Sequence, residues 1–208
     1  MTYPNSLVEV KDGVLLYVPD STLVKTTYEN LLAKNSSTPF PFWAKIWPAS
    51  IALSNFLQTE PHWIKNKRVV EIGAGIGFPS FLIAPYTTEI IISDYAIEAV
   101  ELIEKNIEYL GLKNIKAMCL DWNHFPLAIY GDTILLSDIN YAPAEFESLL
   151  LLINRLLQKG CTILIATPQR IMTNPFVEKL KPFIKRTVIQ TVETLNETTD
   201  IGIVILSR

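Results

Sequence analysis

From Lys67 onward, short apolar runs alternate with amphipathic stretches. "RVVEIG" precedes "FPSFLIA", and "EIIISD" precedes "AIEAVELIEKNIEYLG". "NIKAMCL" and "DTILLSD" follow, then a stretch opening at Pro143, then "CTILIAT" and a stretch from about Pro175 to Leu180. The short runs are near-continuous in apolar and β-branched residues, the mark of strands covered on both faces. Ile97, Val100, Ile103, Ile107 and Leu110 recur at helical spacing, and Gly111 stops them. Phe146, Leu149, Leu150, Ile153 and Leu157 repeat that pattern behind Pro143. Glu101 and Lys105 fall on the outward face as a solvated pair. The two closing β-rich segments, "RTVIQTVETL" and "DIGIVILSR", are joined by "NETT". That leaves no room for a crossover helix, so they pair antiparallel. The pattern predicts an α/β fold: a Rossmann-like, mostly parallel seven-stranded sheet with helices on both faces and an antiparallel C-terminal hairpin.

The first 40 residues read differently, as short strand candidates and loop. "LVEV" and "VLLYVP" flank "KDG", a hairpin signal, and "KNSSTPFPF" is a polar, Pro-containing loop. "FWAKIWPASIALSNFLQ" predicts a helix from about Pro48. This divides the chain into a β-rich extension, 1–40, packing on a core, 41–208.

Composition narrows the picture. With 208 residues, 49% hydrophobic and 19% charged, the chain suits one globular domain with a good core. A mean hydropathy of +0.26 fits a sheet buried on both faces. The longest unbroken apolar run, Leu149–Ile153, is far too short to span a bilayer, and "MTYPNSLVEV" has no basic start or apolar core of a signal peptide. Cys119 and Cys161 lie in apolar runs and read as buried free thiols, which places the protein in the cytoplasm. A net charge of −3 argues against a nucleic-acid partner. Two histidines, His62 and His124, with two cysteines at no ligand spacing, leave no case for a metal site.

In a sheet of this kind, ligands sit beyond the carboxyl ends of the strands. There the first strand carries Glu71 and then Gly73, Gly75 and Gly77; the second ends in Asp94; the third ends in Asp121 and Trp122; the fourth runs into "SDINY". Glycines let backbone amides approach a ligand. A carboxylate about 20 residues on can bind ribose hydroxyls, and an indole offers a face for a base. The Gly-x-Gly-x-Gly spacing suits a nucleoside without phosphates better than a dinucleotide. Each feature also has a plain reading: a tight turn, a core tryptophan, or, for Asp138, an N-cap close to Pro143. Three consecutive strand ends bearing such groups favour a site.

"VVEIGAGIG" resembles the first motif of the seven-strand S-adenosylmethionine (SAM)-dependent methyltransferases. "FWAKIWPASIALSNFL", "LDWN" and "SDINY", the last fitting an Asp-x-x-Tyr motif, resemble the family 16 group of protein lysine methyltransferases. "PFWAKIWPA" and "IATPQR" are most similar to the branch containing the electron-transfer-flavoprotein β-subunit lysine methyltransferase. The resemblance covers about 38–208. Asn123 stands where the group often has Gly. The likeness implies SAM as cofactor, held by Trp47, Glu71, Gly73, Gly75, Gly77, Asp94, Asp121 and Trp122, and a catalytic set of Asp138, Asn140 and Tyr141. It implies a monomer acting on a protein with an accessible lysine. Deprotonating that lysine at pH 7 costs about 4.6 kcal/mol. Repulsion from a positive sulfonium about 4 Å away offsets roughly 4 kcal/mol of it. Asp138 then attracts and orients the amine, Asn140 offers a carbonyl acceptor, and Tyr141 offers an aromatic wall and a hydroxyl. Trp43 reads equally as core and stays outside the set. A small-molecule acceptor, an NAD(P)-linked oxidoreductase and a non-catalytic SAM-binding module are the competing functions.

Overall fold

The computed structural model describes residues 3–126, 128–168, 174–194 and 198–208. Strands β1 (Asn5–Lys11) and β2 (Val14–Pro19) form a separate antiparallel hairpin. Its turn residues Asp12 and Gly13 both have positive φ, 51° and 78°, as a tight hairpin turn of the right twist requires. Helix α1 (Ser21–Lys34) follows, capped by Asp20, whose side chain accepts from the backbone N–H of Thr22 and Leu23. This helix corrects the reading of residues 1–40 as strand and loop. Its only buried residue is Val24, so no apolar stripe announces it, and the signal present was the Asp20 cap.

Helix α2 (Pro48–Thr59) begins on Pro48 as expected. Then come β3 (Arg68–Ile72), α3 (Phe78–Ile83), β4 (Glu89–Asp94), α4 (Ile97–Leu110), β5 (Ile115–Cys119), β6 (Thr133–Ser137), α5 (Phe146–Gln158), β7 (Thr162–Pro168), α6 (Asn174–Leu180), β8 (Ile184–Glu193) and β9 (Thr198–Leu206). The seven-stranded sheet has the order β5-β4-β3-β6-β7-β9-β8. Pairings from β5 to β7 are parallel, and β9 pairs antiparallel with both β7 and β8. The chain leaves β3 toward β4 and β5, then crosses back to β6, so the switch point lies between β3 and β6. Asn196 and Glu197 of "NETT", and Gln169 and Arg170 of "IATPQR", lie outside the described residues.

Burial follows the two-residue alternation of the strands. Val69, Ile90, Ile92, Leu135 and Leu164 join one core with α2 and α3; Val70, Ile91, Ile134, Leu136 and Ile163 join the other with α5 and α6. Among the described residues no helix is long and apolar enough to cross a membrane. Three details depart from the sequence expectation. Cys161 is buried but Cys119 is exposed, because it ends the edge strand β5. Ile97 is exposed at the start of α4, whereas Asn106 on the same helix is fully buried. Lys105 turns to Asn5 Oδ1, 2.7 Å, and to the face of Tyr17.

Asn106 explains its own burial. Its Oδ1 accepts from Tyr17 N, 2.7 Å, and its Nδ2 donates to Tyr17 O, 3.1 Å, so the amide acts as one more strand partner for β2. Beside it Leu16 is fully buried in the core. Replacing Asn106→Ala strands both Tyr17 backbone groups, and urea unfolding should show a loss of about 1–3 kcal/mol; an unchanged midpoint would contradict this attachment of the hairpin.

Candidate functional site

The carboxyl ends of β3, β4 and β6 border an open cleft. Its floor is the glycine turn after β3. Gly73 (φ 64°) and Gly75 (φ 56°) are left-handed. A Cβ on Gly73 would come within 3.1 Å of the Trp122 ring and of Ile139. A Cβ on Gly75 would lie 3.0 Å from the carbonyl oxygen of Trp43. The turn is thus compressed from both sides, and only glycine satisfies both its backbone angle and its space. Gly77 caps α3 behind it.

Asp94 closes one wall. Its Oδ2 accepts from Gly75 N, 2.8 Å, and its Oδ1 from Ala96 N, 3.0 Å. Burial raises its pKa, against those backbone bonds. Tyr95 N–H is a third backbone donor to this carboxylate, which still has acceptor capacity to spare. Trp122 forms another wall, held by its Nε1–H to Glu145 Oε2, 3.0 Å. Trp47 lines the mouth and donates from Nε1 to Phe42 O, 2.8 Å.

The end of β6 supplies the remaining wall. Asp138 is buried at φ 52°, left-handed for a residue with a side chain, while its N–H donates to Ala166 O, 2.9 Å. Such backbone costs of order 1–3 kcal/mol and collects at functional sites. Asp138 does not cap the following helical turn, which starts after Ala142. Tyr141 stands beside it, its phenol pKa raised by burial first and then by Tyr95, Asp94, Glu145 and Asp138, so the hydroxyl stays neutral. Ser137 Oγ, also on the lining, is buried with no hydrogen-bond partner among the described residues.

Of the residues singled out by sequence, the cleft brings together Trp47, Gly73, Gly75, Asp94, Trp122, Asp138 and Tyr141. Four stand apart from its lining. Glu71 is fully buried beneath the turn, where its Oε2 accepts from both N–H and hydroxyl of Ser80. Gly77 lies behind. Asp121 is half-exposed, turned to Asn123 and to His124 Nδ1. Asn140 is fully buried; its Oδ1 already accepts from Thr167 Oγ1, 3.0 Å, and its Nδ2 has no partner among the described residues. The sequence reading missed Phe42, Trp43, Lys45 and Tyr95, which also line the cleft. Tyr95 directly follows Asp94, a signal that could have found it; the pre-α2 aromatics are brought in only by the tertiary fold.

This is the architecture of the class I methyltransferases. N-methyltransferase NodS of Bradyrhizobium japonicum, solved with S-adenosyl-L-homocysteine, superposes with a TM-score of 0.62 at 14% identity over 88% of this chain and 99% of that one. An rRNA methylase of Streptococcus thermophilus gives 0.56 at 13% identity, over 78% and 97%. The model of the lysine methyltransferase family matches residues 28–186, and the chain belongs to that family. The protein-lysine N-methyltransferase EFM3 of Chaetomium thermophilum is 30% identical over 82% of this chain and 52% of its own. The histone-arginine methyltransferase METTL23 of Homo sapiens is 28% identical over 55% of this chain and 64% of its own. The chain spans about half the length of the curated relatives it matches.

Glu71 makes the site sensitive to pH. Burial above all pushes its pKa up to about 7, with the Ser80 bonds opposing and Asp94 adding. A carboxyl with a folded-state pKa above its unfolded value binds more protons when folded. Its cost is therefore absent below about pH 4.5 and grows as pH rises through 7, to about 3 kcal/mol. In urea titrations at pH 5 and pH 8, Glu71→Gln should shrink the loss of stability seen for the wild type; equal losses would contradict a buried, ionising Glu71.

Proposed function

We propose that the protein is a SAM-dependent methyltransferase that methylates the side-chain amine of lysine in a protein substrate. The observation that carries this reading is the convergence of four groups on one cleft: the compressed glycine turn, the buried Asp94 carboxylate, the tethered Trp122 indole and the Asp138–Tyr141 pair. The family match supports it, as does the lysine named for EFM3. SAM, when bound, supplies an electrophilic methyl group. Asp94 accepts ribose hydroxyls with its remaining lone pairs. Trp122 stacks the base, the backbone of Gly73 and Gly75 allows close approach, and Trp47 covers the mouth. Glu71 and Gly77 hold the turn and the start of α3. Asp121 braces the loop around Trp122. Asp138 attracts and orients the incoming ammonium, and the neutral Tyr141 walls it. Asn140, its carbonyl taken by Thr167, braces β6 against β7.

The same reading takes residues 1–40 as an extension and 41–208 as the methyltransferase domain, although the family match already begins at residue 28. It takes the protein to be a cytoplasmic monomer without a nucleic-acid partner; the free Cys119 and Cys161 fit a reducing compartment.

Incubation with methyl-labelled SAM and a cell lysate should place label in protein, and hydrolysis should release methyllysine. Label in small molecules would move the acceptor out of the protein class. Methylarginine would favour the acceptor named for METTL23. No transfer would overturn the reading. Asp94→Ala should weaken S-adenosylhomocysteine binding by about ten- to hundredfold, the loss of a charge-assisted bond. Asp138→Asn keeps a residue that tolerates the left-handed backbone. It should stay folded, with single-turnover methylation falling about ten- to hundredfold; full activity would remove Asp138 from the site.

A further inference from the structure

The Trp122 indole is gripped at two edges. On its six-membered side, Cζ3 and Ile139 Cγ2 each lie 3.1 Å from the point where a Cβ on Gly73 would stand. On the other side, Nε1–H donates to Glu145 Oε2, 3.0 Å. Ile139 directly follows Asp138, and Glu145 directly precedes α5. The ring therefore meets the 138–145 loop near its start and again at its end. Tyr141 lies between the two grips, and Asp138 borders the first.

Asn123, which stands where the related group often has Gly, completes the clasp. Its backbone N–H and its Nδ2 both donate to Asp121 Oδ1, at 2.9 and 3.0 Å. The same Nδ2 reaches Glu145 Oε2 at 3.4 Å. One carboxylate oxygen of Glu145 thus collects donors from two successive residues of the β5–β6 connection. Glu145 is half-buried and stands outside the cleft lining, so it acts through the groups it holds.

We propose that Glu145 is a positioning residue that clasps the base-stacking indole to the 138–145 loop, so that a base bound on Trp122 orders the loop carrying Asp138 and Tyr141. The proposal rests on the methyltransferase reading above and goes beyond it. A ring free to turn must be immobilised when a ligand stacks on it, and that ordering weakens binding. The Glu145 bond holds the ring in place before the ligand arrives. Because the same ring meets both ends of the loop, fixing the ring fixes the loop. The coupling is reciprocal: an ordered loop strengthens stacking by the factor by which stacking favours the ordered loop. A Gly at position 123 would supply no side-chain donor, so the clasp is tighter in this chain.

The test joins calorimetric titration of the full chain with S-adenosylhomocysteine to amide hydrogen exchange with and without that ligand. Glu145→Ala should weaken binding by about two- to tenfold, the effect of having to order one large side chain. Glu145→Gln keeps an oxygen acceptor at the same reach and should restore most of the affinity, which guards against loss through misfolding. Trp122→Phe keeps a ring face and loses the donor. Adding Glu145→Ala to it should weaken binding little further, whereas independent structural effects would add. In wild type the ligand should slow exchange at residues 139–146 as well as 122–125, and in Glu145→Ala the slowing at 139–146 should be largely lost. Wild-type affinity in Glu145→Ala, a Glu145→Gln as weak as Glu145→Ala, additive losses in the pair, or full protection of 139–146 in Glu145→Ala would each overturn the clasp and leave the methyltransferase reading standing. No S-adenosylhomocysteine binding by wild type would overturn both.

Discussion

The Asp94 carboxylate accepting from Gly75 N–H at 2.8 Å ties together the ends of two neighbouring parallel strands. That bond requires the turn after β3 to fold back left-handed, which in turn leaves no room for a side chain at Gly73 or Gly75. The space so denied is occupied by the Trp122 ring on one side and the Trp43 backbone on the other. Four chain segments, from the pre-α2 loop, β3, β4 and the end of β5, therefore meet at one pair of glycines. The cleft exists because they meet there with the carboxyl ends of the strands pointing the same way.

Charge at this meeting point is costly. Glu71 and Asp94 are both buried carboxylates whose pKa values burial raises, and the Asp94 charge adds to the rise at Glu71. Asp138 adds a third carboxylate at the end of β6, in a backbone conformation that itself carries strain. A cationic ligand would relieve such a wall, and an anionic one would be repelled by it. The stability given up here is recovered in the two cores that cover the sheet, where Leu135 and Ile134 on adjacent positions of β6 reach opposite faces.

Much of this was legible in the sequence, for physical reasons. Strands β3, β4, β6 and β7 are buried on both faces and therefore stand out as apolar runs, and the glycine turn and its partner Asp94 sit at fixed spacing. What escaped was whatever depended on a distant partner. Helix α1 has a single buried residue, so it has no stripe to see. Asn106 sits where the pattern calls for a surface residue, and only the Tyr17 backbone explains it. Cys119 lies in an apolar run, but at a sheet edge with its side chain uncovered. Trp43 and Phe42 precede α2 in a loop with no periodicity, and nothing local distinguishes a cleft-lining ring from a core one.

Isothermal titration of the intact chain with S-adenosylhomocysteine and, separately, with NAD bears most directly on the account. A left-handed glycine turn tied to a buried carboxylate at the end of the next strand, without the third glycine spacing of a pyrophosphate cradle, predicts saturable binding of S-adenosylhomocysteine and no measurable heat with NAD. Tight NAD binding with none for S-adenosylhomocysteine would contradict it.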